Sequence, residues 1–237
     1  MTGNSDPSTT PVIVLENLVK FFGRFGAIRG ISASFAPGRL YVVIGDNGAG
    51  KSTLLRIIAG LVEPSQGTLT VLGAHKVRDV AGRLGYMGHA PLLYDELSGM
   101  ENLRYFAGLY GLHLDRVCEN AMQMVGLDPG LSRRVGQYSQ GMRQRLSLAR
   151  AVLHDPELIL LDEPFSNVDA SSAHGMAAVL GGVRDKGKTI FVVTHQAVLL
   201  EGIADEFVHM TAGRIDAREA QPPVQLSPAD FKAETRL

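Results

Sequence analysis

The segment from Gly45 to Ser52, with the sequence GDNGAGKS, constrains the fold of this chain more than any other stretch. It matches the pattern G-x-x-x-x-G-K-[ST], in which glycines let backbone N–H groups turn toward an anion without Cβ clashes. The run LYVVI before it predicts a short buried strand, and the run TLLRIIA after it predicts a helix over residues 51–61. A strand, a glycine-rich turn and a helix N-terminus form the setting in which this pattern binds the phosphates of a nucleoside triphosphate.

The residues of this phosphate loop have separate expected roles. Lys51 is placed to reach the β- and γ-phosphates, and the Ser52 hydroxyl is placed to ligate Mg²⁺. The helix N-terminus adds a partial positive charge at the same point. We therefore predict that the nucleotide is bound by Gly45, Asp46, Asn47, Gly48, Ala49, Gly50, Lys51, Ser52 and Thr53.

A second stretch, LILLDEP at 158–164, is an apolar strand that ends in two carboxylates. Asp162 is the predicted second metal ligand, beside Ser52, because a strand that runs into Asp delivers a carboxylate to the Mg²⁺ shell in such folds. Glu163 follows directly, at the strand end where ligands of open α/β sheets bind, and is well placed to polarise an attacking water. Taken alone, the stretch could also be a strand followed by an acidic turn.

The segment YSQGM at 138–142 opens a predicted helix. Ser139 is a good N-cap, and Met142, Leu146 and Ala149 fall on one helical face, so a capped amphipathic helix would by itself account for the segment. Beside the phosphate loop and the acidic strand end, however, it resembles the signature motif LSGGQ of ATP-binding cassette (ABC) ATPases, in the Y-S-x-G-M form seen in many exporters. The resemblance implies that nucleotide also contacts Ser139, Gln140 and Gly141.

Further segments follow in the family's order. Phe22, in KFFG, stands where ABC proteins place an aromatic side chain that stacks on adenine, and SNVD at 166–169 resembles their D-loop. His195 ends the strand-like run IFVVTH and resembles the switch histidine that contacts the γ-phosphate. Taken alone, Phe22 could be a core residue and His195 a capping side chain.

One position departs from the family pattern. ABC proteins usually carry Gln at the end of a G-Y-x-x-Q segment, and here the segment is GYMGH, ending in His89. An imidazole can donate or accept a hydrogen bond, so His89 is a predicted catalytic residue, with packing or capping in its loop as the alternative. The sequence GHAP at 88–91, followed by YDEL and ENL, resembles the ATP-binding subunit of haem exporters in cytochrome c maturation.

The resemblance covers residues 13–215 and implies an α/β fold. This fold has a P-loop NTPase core of the ABC ATPase type, an N-terminal antiparallel β part and an inserted helical subdomain at about 89–155. The sequence predicts early strands at Val12–Leu15 and Ile31–Phe35 and a closing hairpin over 206–215. The domain then spans 12–215, between a disordered tail at 1–11 and a polar C-terminal tail at 216–237.

Composition agrees with a nucleotide-using enzyme and argues against a nucleic-acid binder. Lys and Arg number 23 against 24 Asp and Glu, a formal net charge of -1, so the chain lacks a global basic footprint. Cys118, the only cysteine of the sequence, lies on an apolar helical face and is expected in the core. The sequence has no apolar run as long as a membrane span and no signal-peptide pattern. Together with the family resemblance, this predicts peripheral attachment at the cytoplasmic face of the membrane.

The resemblance implies ATP hydrolysis at a dimer interface. In ABC proteins the signature of one protomer closes over ATP held, with Mg²⁺, by the phosphate loop of the other. The expected partners are therefore a second copy or a homologous ATPase subunit, and a separate membrane permease whose coupling helix enters a groove around His89 to Glu101.

Other functions stay open at this point. Non-transport ABC ATPases usually carry a long coiled coil or two cassettes, and a P-loop kinase or GTPase would lack the signature-like segment. Within transport, haem export for cytochrome c maturation is the leading hypothesis, and a drug, lipid or polysaccharide exporter is the alternative.

Overall fold

The computed structural model describes residues 10–220, so residues 1–9 and 221–237 of the tails predicted at 1–11 and 216–237 lie outside the described part. Its strands are β1 (Ile13–Phe22), β2 (Phe25–Phe35), β3 (Leu40–Ile44), β4 (Gln66–Val71), β5 (Leu84–Met87), β6 (Leu158–Asp162), β7 (Thr189–Val193), β8 (Glu206–Thr211) and β9 (Arg214–Ala220). Its helices are α1 (Lys51–Ile58), α2 (Gly99–Leu109), α3 (Asp115–Met124), α4 (Gln140–Val152) and α5 (Ala170–Asp185), with 3-10 turns at Val77–Arg83, Val135–Gln137 and Ala197–Leu200.

These strands form two sheets of different kind. The smaller sheet is antiparallel, in the order β2-β1-β4. The larger sheet has the order β5-β6-β7-β3-β8-β9 and is parallel except for the pairing of β8 with β9. Since β6, β7 and β3 are adjacent and parallel, their carboxyl ends lie along one edge, where the loops that follow them can share a ligand.

The central strands of the larger sheet are apolar throughout because both of their faces are buried. Along β3, Leu40 and Val42 enter one core, whereas Tyr41 and Val43 enter the other. The strands β6 and β7 alternate in the same way and are buried at every position. This two-sided burial explains why the sequence shows continuous apolar runs here instead of an apolar–polar alternation.

The chain between β5 and β6 is mainly helical. The helix α2 begins with a capping box, in which Ser98 accepts from the Glu101 amide and Glu101 accepts from the Ser98 amide. The helices α2, α3 and α4 share one core with the larger sheet, through residues such as Leu103, Met122 and Leu146. Cys118 is 1 % exposed in this core, as expected, and its burial raises the pKa of the thiol.

Several boundaries differ from the sequence predictions. The first strand continues to Phe22 and the second begins at Phe25, because the two pair as one long antiparallel hairpin. The helix predicted to 61 ends at Ile58, and the chain turns away at Gly60, whose φ is +71°. Residues 216–220, predicted as tail, complete β9 and pair with β8. The domain limits and the subdomain division at 89 and 155 stay predictions.

Candidate nucleotide site

The predicted phosphate loop, acidic strand end and switch histidine meet at one cleft. The loop follows β3, Glu163 follows β6 and His195 lies just beyond β7, so three adjacent parallel strands deliver them to the same sheet edge. The cleft has a volume of about 460 Å³. It is lined by Phe25, Ala27, Asn47, Gly48, Ala49, Gly50, Lys51, Ser52, Thr53, His89, Glu163, Ser166, His195 and Gln196.

Two glycines of the loop are required by close backbone contacts. Gly45 has a φ of 147°, and a Cβ there would lie 2.0 Å from the carbonyl oxygen of Met210. Gly50 has a φ of 100°, and a Cβ there would lie 2.5 Å from the carbonyl oxygen of Ala27. A side chain at either position would push the loop away from the strands that support it, so the glycine pattern serves packing as well as phosphate access.

The loop presents backbone donors to the cleft. Among the described residues, the amides of Gly48 and Gly50 donate to no protein acceptor, and the first-turn amides of α1 have no partner within the helix. A Cβ at Gly48 would meet open space, which leaves room for an anion close to the backbone. The donors and the room together fit the phosphates of a nucleotide.

The Lys51 ammonium is held inside this loop. Its Nζ donates to the carbonyl oxygens of Gly45 at 2.7 Å and Asp46 at 3.0 Å, and the residue is only 5 % exposed. An ammonium has three N–H donors, so these two bonds leave one for a ligand. The geometry places a fixed positive charge at the phosphate end of the cleft.

Ser52 and Asp162 form a pair of oxygen ligands that fits Mg²⁺. The Ser52 hydroxyl donates to Asp162 Oδ1 at 2.8 Å, and Asp162 is 2 % exposed. Neighbouring ligands around an octahedral ion with bonds of about 2.0–2.1 Å lie about 2.9 Å apart, close to this oxygen–oxygen distance. Ser52 and Asp162 would hold Mg²⁺, which would supply positive charge against the charge that develops during phosphoryl transfer.

Glu163 and His195 face each other across the same cleft. Glu163 Oε2 accepts from the His195 amide at 3.3 Å, and Glu163 Oε1 lies 3.4 Å from His195 Nε2. The Glu163 amide donates to the Val193 carbonyl at 2.8 Å. Glu163 also has a φ of 54°, a left-handed conformation that costs of order 1–3 kcal/mol in a non-glycine residue and concentrates at functional sites. This backbone turn brings its carboxylate to the cleft beside the switch histidine.

His89 lies at the same cleft as Glu163, in an exposed loop that follows β5. The structure therefore places the imidazole where the predicted catalytic role requires it, without deciding that role.

The aromatic residue at the cleft is not the one that the sequence indicated. Phe22 and Phe25 pair across the tip of the β1–β2 hairpin, with Gly23 turning at a φ of 58°. Phe25 lines the cleft, whereas Phe22 is absent from its lining and packs under Lys20 Nζ, 5.0 Å from the ring centre. Phe22 stays a prediction as the adenine-stacking residue, and Phe25 is a second candidate because it lines the cleft.

The signature residues lie away from this cleft. Ser139 caps α4, its hydroxyl accepting from the Met142 amide at 3.2 Å, and both Ser139 and Gln140 are exposed. Gly141 is buried against Asp169, where an added Cβ would lie 3.5 Å from the carboxylate. None of the three lines the cleft, so within the described residues a chain does not bring its own signature to its own phosphate loop.

Sequence reasoning missed Phe25, Ala27 and Gln196 at the cleft, and it named Ser166 only within the segment that resembles the D-loop. Gln196 donates to the Phe165 carbonyl at 3.2 Å and directly follows His195, so its position after a strand end could have indicated it. Ala27 carried no chemical signal, since it borders the cleft only through the fold of the smaller sheet.

The fold and this cleft define a P-loop ATPase whose core carries an antiparallel sheet and an inserted helical part. The chain belongs to the ABC transporter family, because the family model described as ABC transporter matches residues 28–166. It is an ABC-type ATPase, and the predicted fold class is confirmed.

Curated relatives agree with this assignment. The chain is 36% identical to the ABC transporter ATP-binding protein NatA of Bacillus subtilis, over 82% of each chain. It is 34% identical to the fluoroquinolones export ATP-binding protein Rv2688c of Mycobacterium tuberculosis, over 89% of this chain and 70% of that one. It is 30% identical to the bacitracin transport ATP-binding protein BcrA of Bacillus licheniformis, over 86% of this chain and 68% of that one.

Solved structures have the same fold. An ATP-binding subunit of an ABC transporter superposes with a TM-score of 0.79 at 29% identity, covering 88% of this chain and 90% of that one. The dimeric cassette MJ0796 bound to ADP and Pi superposes with a TM-score of 0.81 at 22% identity, covering 88% and 98%. Among residues 10–220, no helix combines the length and the apolarity needed to cross a bilayer.

Proposed function

We propose that this chain is the ATP-hydrolysing subunit of an ABC exporter, attached peripherally to the cytoplasmic face of the membrane through a separate permease. The observation that carries the proposal is the convergence of Lys51, the Ser52–Asp162 pair and Glu163 on one cleft. These groups supply a cation, a metal ligand pair and a base, which are the parts that phosphoryl transfer to water needs.

Each residue of the cleft has its own role in ATP hydrolysis. Lys51 and the loop amides hold the β- and γ-phosphates, and Ser52 and Asp162 hold Mg²⁺. Glu163 accepts a proton from the attacking water, since its carboxylate opens onto the cleft and is only partly exposed. His195 contacts both the γ-phosphate and Glu163, while His89 hydrogen-bonds to the water or to a metal-bound water.

A second ATPase subunit completes the site. The N-terminus of α4 presents a capped helix end, with Ser139 and Gln140 exposed, to the surface instead of to its own cleft. An exposed helix N-terminus and a hydroxyl suit an anion held by another chain. ATP bound in this way links two copies, or one copy and a homologous subunit, and its hydrolysis releases them to move the permease.

The substrate class follows from the relatives rather than from the site. Relatives described above are named for fluoroquinolone export and bacitracin transport, which favours the drug-exporter alternative over haem export. Another is named for manganese transport. The haem-export hypothesis rests only on the sequence resemblance that begins at 88–91, and it stays a prediction. With a formal net charge of -1, we expect no nucleic-acid partner.

The permease can be identified by capturing it. Membranes containing tagged chain with Glu163→Gln are solubilised with Mg-ATP, and the tagged complex is isolated; Lys51→Ala is the matched control. We expect a polytopic membrane protein with the first variant, and ATP-dependent outward transport when the wild-type complex is reconstituted in vesicles. Recovery with ribosomes or DNA and without a membrane protein would contradict the proposal. Reduced cytochrome c content with unchanged drug sensitivity in a deletion strain would instead favour haem export.

A further inference from the structure

Helix α4 bonds to the chain on both sides of His89. Two side chains of α4 donate to backbone carbonyls there, Ser147 Oγ to Pro91 at 3.1 Å and Arg150 Nη2 to Tyr86 at 3.1 Å. Just past the helix, His154 Nε2 donates to the Leu84 carbonyl at 2.9 Å. The spacing of 147, 150 and 154 places all three donors on one helical face.

The accepting carbonyls have a physical reason to need these donors. Within residues 10–220, the strand β5 forms the edge of the larger sheet, so one row of its backbone groups faces no neighbouring strand. Leu84 and Tyr86 are two residues apart, and their carbonyls therefore point the same way, toward α4. Gly85 between them lets α4 approach, since a Cβ there would lie 2.2 Å from the Ala151 carbonyl oxygen. The contact between β5 and α4 is thus close and specific.

Two of these donors, Arg150 and His154, also stack on aromatic rings at the C-terminal end of α2. The Arg150 guanidinium lies over the Phe106 ring at 5.0 Å, and the His154 ring stacks on Tyr110 with centroids 3.8 Å apart and planes at 4°. Arg150 and His154 therefore each lie between an aromatic ring at the C-terminal end of α2 and a carbonyl of β5. Burial lowers the pKa of both the guanidinium and the imidazole, so solvent competes weakly for them.

We propose that Ser147, Arg150 and His154 are positioning residues, which hold the backbone on both sides of His89 and so fix His89 at the cleft. The inference rests on the proposed function for the role of His89 in hydrolysis. Helix α4 and the His89 loop then form one unit. Phe106 and Tyr110 fix the positions of Arg150 and His154, and with them two of the three hydrogen bonds.

Hydrogen exchange tests the positioning without nucleotide. In the full chain, Ser147→Ala should speed amide exchange at Tyr94, whose amide donates to Asn102 Oδ1 three residues past Pro91. The expected factor is about fivefold, which corresponds to one hydrogen bond of about 1 kcal/mol. Tyr110→Leu should speed exchange at 84–87, whereas Tyr110→Phe, which keeps the ring, should not. The strand β8 is the internal reference, and Arg184→Gln is the matched control, because Arg184 donates to the distant Ile203 carbonyl. Unchanged exchange at Tyr94 in Ser147→Ala and at 84–87 in Tyr110→Leu would overturn the proposal.

A double-mutant cycle then tests whether Ser147 acts through His89. We expect Ser147→Ala to lower kcat about fivefold with KM unchanged, and to cause no further loss in a His89→Ala background. An equal loss in both backgrounds would show that Ser147 acts by another route and would overturn the proposal. If His89→Ala itself leaves kcat unchanged, the catalytic role of His89 fails, and the exchange experiment alone decides the positioning.

Discussion

The Ser52 hydroxyl and the Asp162 carboxylate are 110 residues apart in the chain and 2.8 Å apart in the fold. The contact forms because α1, which carries Ser52, packs against β6, which ends in Asp162. The two oxygens hold each other in place before any ligand binds, so the metal-binding end of the cleft is preorganised.

Replacing Lys51 with Ala should weaken ATP binding about tenfold or more, because hydrogen bonds to a charged group contribute roughly 1.5–3 kcal/mol. Calorimetric titration with Mg-ATP measures the affinity. Lys188→Ala is the matched control, since Lys188 donates to the Asp155 carbonyl away from the cleft. Equal affinities for wild type and Lys51→Ala would remove Lys51 from the site.

Replacing Glu163 with Gln should keep ATP binding and lower turnover by roughly 10²–10⁴-fold, the usual contribution of a general base. The variant should elute as a dimer with Mg-ATP, because the nucleotide that links the subunits persists. Glu157→Gln, which changes a carboxylate paired with Arg83 at the start of β6, should hydrolyse ATP normally. Normal hydrolysis by Glu163→Gln would assign the base to another group.

Phe22 and Phe25 are two candidates for the adenine contact, and a pair of variants separates them. Phe25→Ala should weaken ATP binding about fivefold or more, since stacking of a base on an aromatic ring contributes roughly 1–3 kcal/mol. Phe22→Ala should change it little, because Phe22 does not line the cleft. Binding of inorganic tripolyphosphate, which has no base, should be alike in both variants. The reverse order of ATP affinities would restore Phe22 to the site.

Mixing two inactive variants tests the shared site. Ser139→Arg subunits and Lys51→Ala subunits should each lack activity alone, yet a mixture should regain part of it. Each mixed dimer would pair an intact phosphate loop with an intact signature from the other chain. ATPase rates across mixing ratios measure the recovery. A mixture as inactive as its components, while native mass spectrometry shows mixed dimers, would contradict the two-chain site.

Stability should depend on pH through His154. Burial lowers the pKa of the His154 imidazole in the folded chain, so the unfolded chain binds the proton more readily. The free energy of unfolding should therefore fall as the pH drops below about 6.5, the ordinary pKa of histidine. In urea titrations from about pH 7 to 5, His154→Gln should show a shallower fall, while exposed His174→Gln keeps the wild-type slope. Equal slopes for wild type and His154→Gln would contradict the prediction.

The sequence by itself determined the local parts of this protein. The strand, loop and helix around Lys51, the acidic end of β6 and the cap at Ser139 depend on residues within one turn or one strand. Local propensity and hydrogen bonding therefore predict them. The family resemblance added the order of these parts, and through it the fold.

Only the tertiary structure decided which side chains share the cleft. The β1–β2 turn brought Phe25 to the lining of the cleft, and the left-handed backbone of Glu163 aimed its carboxylate. The packing of α4 on β5 set the carbonyl bonds around His89. Each depends on contacts between segments far apart in the chain. A short stretch of sequence cannot predict such contacts, because the strand or helix that makes the other half of each contact lies elsewhere in the chain. The exposed position of Ser139 is of the same kind, since only the packed molecule shows that the signature faces away from its own phosphate loop.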